Sequence, residues 1–139
     1  MTVITKRIRL RTQGETDLID ITDDVGSCVR ESGVSSGIVT VFIPGSTAGV
    51  STIEYESGAV MDFREAIERI APSNIHYHHD ARWGDGNGYS HVRAALEGAS
   101  LTVPFSSSEL LLGTWQQIIV IDFDNRPRTR DVILQILGE

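Results

Sequence analysis

Cysteine is nearly missing from this chain of 139 residues: Cys28 stands alone. No internal disulfide and no cysteine-built zinc site is available, and a reducing cytoplasm is the expected compartment. Aromatic residues make up 6%, so the core must come mainly from Val, Ile, Leu and Ala. Basic residues are few, 12 Lys and Arg against 19 Asp and Glu, for a net charge of −7. A general nucleic-acid binder needs a basic face, and docking on an anionic membrane needs the same; neither is expected. Long apolar runs are absent too. The longest, Ile118 to Ile121, is far short of a bilayer span, and Lys6, Arg7 and Arg9 break up any leader-like opening. Histidine is missing everywhere except between positions 76 and 91, where all four lie.

What remains reads as one α+β domain over residues 1–139. Val3–Thr12 alternates like a half-buried strand. Gln13-Gly14-Glu15 suggests a turn, with Thr16–Ile21 returning as the second arm of a hairpin. Thr22 stands where an N-cap belongs, before a helix ending at Gly33, with Cys28 on its core side. Gly37–Ile43 suits a strand covered on both faces. A helical period runs from Ser57 to Ile70 and stops at Pro72. Residues 73–90 read as a polar loop. Ser90 is the expected cap of a short helix through Glu97. Ser100–Phe105, Glu109–Leu112, Gln116–Phe123 and Thr129–Leu137 read as strands, the last two joined by a hairpin loop at 124–127.

Four places carry candidate chemistry. The first is the histidine segment, with His76, His78, His79 and His91 around Asp80, Asp85 and Asn87. Imidazole is a common metal ligand and proton carrier; a solvated polar loop is the alternative. At the first helical position after Ser90, His91 would be held neutral by the positive helix end. The second is Pro44–Gly49, whose Ser46 and Thr47 can form an anion-holding nest. It lacks the Gly-Lys-Ser/Thr of a Walker loop and the Gly-x-Ser-x-Gly of a nucleophile elbow. The third is Glu54-Tyr55-Glu56, with two carboxylates on one face, or else a solvated strand edge. The fourth is Gly113–Gln117, where Trp115 and Gln116 can line a pocket or simply pack a turn.

Taken together and in order, these stretches resemble the small proteins of the YjbQ-like family, UPF0047. The resemblance rests on Tyr77-His78-His79-Asp80, Asn87-Gly88-Tyr89-Ser90-His91, Gly98–Pro104, Leu112-Gly113-Thr114-Trp115-Gln116 and Pro127-Arg128. One departure stands out. Gly45-Ser46-Thr47-Ala48 occupies the place of a family His-Thr-Thr/Ser-Ala, so a histidine is replaced by Gly45, and Ile53 stands where the family has Asn before its Glu, kept here as Glu54.

The resemblance implies a compact β-sandwich-like core with inserted helices, assembled as a homotrimer. It also implies a site near subunit boundaries holding a divalent metal, zinc first, or an anion. On this reading His79, His91 and His78 are metal ligands. Glu54, His78 and Asp85 are acid–base groups, and Ser46, Thr47, Trp115 and Gln116 hold a phosphorylated small molecule. Thiamine-phosphate synthase-like side activity, known in some family members, belongs to the same expectation. The alternative is a non-catalytic trimeric binding or assembly protein with a structural histidine–metal site.

Overall fold

A computed structural model describes all 139 residues. The elements run β1 (Thr2–Thr12), β2 (Asp17–Asp20), α1 (Thr22–Ser32), β3 (Gly37–Phe42), β4 (Ala48–Ile53) and α2 (Ser57–Ile70), then α3 (His78–Trp83), α4 (Gly88–Glu97), β5 (Ser100–Ser106), β6 (Glu109–Leu110), β7 (Gln117–Asp122) and β8 (Arg128–Gly138). They form two antiparallel sheets, one ordered β1-β8-β3-β5-β6 and the other β2-β7-β4. The α+β sandwich with inserted helices is therefore the architecture.

Strand β7 shows why the layers stack as they do. Ile118 and Val120 enter the main core with Val39 and Val41 of β3, Val132 and Leu134 of β8, and Val25 and Val29 of α1. Ile119 and Ile121, on the opposite face, pack with Leu18 of β2, Ile67 of α2 and Ala94 of α4. An unbroken aliphatic run with period-2 side chains thus serves two cores at once. Each fully buried side chain of this size contributes about 2 kcal/mol. Cys28 packs against the main core, and burial pushes its thiol above the ordinary value, with Glu31 adding to the shift. No helix is long and apolar enough to cross a membrane.

Several local expectations are corrected. Strand β2 does not fold back on β1; it pairs with β7 in the other sheet. Gly14, Glu15 and Thr16 all take positive φ (77°, 55° and 62°), a left-handed stretch that carries the chain across from one sheet to the other. A Cβ at Gly14 would lie 2.5 Å from the Arg126 carbonyl oxygen, so this crossover packs on the one after β7. That second crossover also joins two sheets, because β7 and β8 do not pair with each other.

Ile21, not Thr22, occupies the cap position of α1. The Thr22 hydroxyl instead donates to Asp20 and accepts from the Ile118 amide at 2.8 Å. The loop before residue 90 contains α3, stopped by Gly84 at φ 73°. Helix α4 begins at Gly88 after Asn87, which places His91 within the helix rather than at its first position. Glu56 caps α2 by accepting from the Gly58 and Ala59 amides.

Candidate functional site

The end of the sandwich where both crossovers lie holds a buried charged network. After its aliphatic run, β7 delivers Asp122, and Asp124 follows one residue past buried Phe123; both carboxylates are 0% exposed. Strand β8 opens with Arg128 and Arg130 two residues apart, on one face. Arg130 grips Asp122 with two bonds, Nε to Oδ2 at 2.8 Å and Nη2 to Oδ1 at 3.0 Å. The Thr12 hydroxyl donates to the same carboxylate.

Asp124 accepts from Arg128 Nε at 2.8 Å, the Thr47 hydroxyl at 3.0 Å, Asn87 Nδ2 at 3.3 Å and the Asn125 amide at 2.8 Å. Burial alone would push its carboxyl up. The Asn125 amide, Arg128, Asn87 and Thr47 together outweigh burial and hold it below the usual carboxylate range. Thr47 locks the two halves together, since its hydroxyl also accepts from Arg130 Nη2 at 2.7 Å.

A cleft of about 430 Å³ lies over this network. One wall is the turn Gly45–Thr47, the other is built by α3 and α4, and Arg128 and Arg130 reach its floor. Gly45 sits at φ 121°, and a Cβ there would come 3.0 Å from Arg130 Nη1. With no side chain at position 45, the cleft reaches this guanidinium. Helices α3 and α4 can press together because position 88 is glycine; a Cβ would lie 2.5 Å from that of Tyr77. The Gly88 amide donates to Asp80 Oδ1 at 2.8 Å.

Within the cleft the His79 and His91 rings lie 4.3 Å apart, tilted by 39°. His79 Nδ1 is buried with no hydrogen-bond partner. It stands 3.4 Å from Asp85 Oδ1 and 3.7 Å from Asp80 Oδ1. These three residues offer ligand atoms within 4.8 Å of one another. Asn87 Oδ1 is a second buried atom without a partner.

The structure brings together Ser46, Thr47, His79, Asp85 and His91. It does not bring in the others. His78 is exposed and meets His76 edge-on, centroids 5.3 Å apart. Glu54 is exposed at the end of β4. Trp115 is 71% exposed. Gln116 donates to the Thr52 hydroxyl at 3.1 Å and borders a different cavity. Sequence reasoning gave no site role to Asp122, Asp124, Arg128 or Arg130, although Arg128 belongs to one of the stretches that carry the resemblance. The available signal was Asp-Phe-Asp directly after four aliphatics, followed by Arg-Thr-Arg.

A family model described as UPF0047 protein YjbQ-like matches residues 6–139. A UPF0047 protein of Archaeoglobus fulgidus is 39% identical over 130 residues, covering 94% of this chain and 98% of that one. Another, of Methanothermobacter thermautotrophicus, is 37% identical over 139 residues, covering 100% and 95%. Among solved structures, a YbjQ-like protein of unknown function from Sulfolobus solfataricus superposes with a TM-score of 0.94 at 31% identity, covering 99% of both chains. The fold, the ordered stretches around the cleft and these matches agree: the chain belongs to the UPF0047, YjbQ-like family.

Proposed function

We propose that the cleft is the active site of a metal-dependent enzyme acting on a phosphate-bearing small molecule. The observation that carries this reading is His79 Nδ1, buried without a partner beside two carboxylates. A buried polar atom left unpaired costs about 1–3 kcal/mol, and a histidine with carboxylates is a donor set that suits zinc. His79, Asp80 and Asp85 would hold the ion. A bound divalent metal would supply Lewis-acid polarisation of a phosphoryl oxygen and a water acidic enough to ionise near neutrality.

The protein's own groups supply the rest. Thr47 and Ser46 present hydroxyls, and Arg130 keeps Nη1 available over Gly45 while Asp122 engages Nε and Nη2. A planar guanidinium of this kind binds phosphate oxygens well. His91, lying against the His79 ring, carries a proton to or from the substrate. Helices α3 and α4 keep that proton path on one wall of the cleft. The homotrimer is part of the same proposal: Trp83 and Trp115 are broadly exposed, and a subunit boundary would cover apolar surface of this kind.

Elemental analysis of protein purified without chelator tests the metal assignment. Stoichiometric zinc is expected, lost in His79→Ala and retained in His91→Ala. A metal-free protein, or full zinc in His79→Ala, overturns it. A closed four-ligand shell with no exchangeable position would favour a structural ion over a catalytic one.

A further inference from the structure

A second cavity, of about 390 Å³, opens between β4 and β5, which belong to different sheets. It shares no lining residue with the histidine cleft. Ser51 and Thr52 line it from β4, Leu101, Thr102 and Pro104 from β5, and Glu97 from the end of α4.

Glu97 is hard to explain by folding. It is the last residue of α4, where the helix dipole is negative and disfavours a carboxylate. Its Oε1 is buried with no hydrogen-bond partner. Burial pushes its carboxyl above the usual range, opposed only by the Ser51 hydroxyl. The neighbouring strand makes room for it: a Cβ at Gly49 would fall 2.9 Å from Glu97 Cγ. Three unfavourable conditions therefore meet on one side chain, and no cation of the protein offsets them.

We propose that this cavity binds a small organic molecule bearing a primary ammonium group, with Glu97 as its counter-ion. An ammonium suits both the carboxylate and the negative helix end. Among its remaining protons, one finds an oxygen acceptor in the Ser51 hydroxyl, which lines the cavity on the β4 side. Leu101 and Pro104 offer apolar wall for a short carbon skeleton, and the volume suits a small ligand. A metal ion is a poor occupant, because the lining holds one carboxylate and no histidine. The proposal also accounts for the Leu-Gly-Thr-Trp-Gln stretch. Gln116 accepts from the Gly113 amide at 3.0 Å and donates to Thr52, so it ties that turn to β4 as the rim of the cavity.

The test is a titration of isotope-labelled full chain with n-butylamine, benzylamine and phenethylamine, each beside its neutral alcohol. Amide shifts of Ser51, Thr52, Thr102 and Gln116 are followed by NMR. At least one amine should give saturable shifts there and bind about tenfold more tightly than its alcohol. Glu97→Gln should erase that preference while melting no lower than wild type near neutral pH, because it removes a desolvated charge. Ser51→Ala, which leaves Glu97 in place, should weaken the amine less. His79→Ala should leave amine binding unchanged, which separates this site from the metal cleft. No saturable shift with any amine, equal binding of the alcohols, or full amine preference in Glu97→Gln overturns the proposal.

Discussion

Two arginine–aspartate pairs use neighbouring residues of β8 and live in opposite worlds. Arg130 meets Asp122 at 2.8 Å with side chains 11% and 0% exposed. Arg9 meets Asp131 at 3.0 Å with side chains 75% and 39% exposed. The contact chemistry is the same; successive strand residues simply face opposite ways. Outside, the hydrogen bond holds the Asp131 carboxyl below its usual range, yet water and salt screen the pair, and its loss removes little. Inside, each carboxylate has been stripped of water and must be re-solvated by the protein. Thr12, Thr47, Asn87 and two arginines do that work of re-solvation. The difference teaches that the inner network is the floor of the cleft, while the outer pair belongs to a solvated face.

The sharpest way to break this comparison is Asp122→Ala. It leaves Arg130 buried without its carboxylate and should cost about 3–5 kcal/mol in urea unfolding, with the His79 and His91 resonances moving as the floor shifts. A loss no larger than that of an exposed pair would show that the network is not structural.

Asp124 gives the next effect. Its folded carboxyl titrates below the unfolded value, so its stabilisation is whole above about pH 4 and drains away as acid carries the pH down through the folded value. Asp124→Asn should therefore destabilise the neutral protein by about 1–3 kcal/mol and flatten the acid limb of a stability-against-pH curve. An unchanged acid limb would break the assignment.

The smallest effect belongs to Asp131→Asn. Its melting temperature should barely move in dilute buffer, and any shift should vanish in about 0.5 M salt. The Asp122→Ala deficit should persist there.

How far the amino-acid order foretold this molecule depends on the range over which each signal acts. Strand β1 was legible because Ile4, Ile8 and Leu10 alternate with arginines, and they do turn toward the core. Helix α2 was legible to its ends because Val60, Phe63 and Ile67 recur at helical spacing and Pro72 follows. The partner of β2 was not legible. It depends on three consecutive left-handed residues at 14–16, two of them not glycine, and those conformations are imposed by the crossing between sheets. Helix α3 has six residues and no buried side chain, too short for any period to announce it. In the cleft, the meeting of Ser46 and Thr47 with His79, Asp85 and His91 was anticipated. Its arginine floor was not, since charged residues ordinarily face water and only the tertiary pairing with Asp122 and Asp124 draws these inside.

In the larger sheet, β8 lies between β1 and β3, so the eighth strand joins two that are synthesised long before it. Until β8 has been made, β1 has no partner, and its register with β8, from Thr2 opposite Gly138 to Thr12 opposite Arg128, cannot form. Completion of this sheet is thus dominated by contacts between distant residues, and until β8 arrives the β1 edge is open to mispairing.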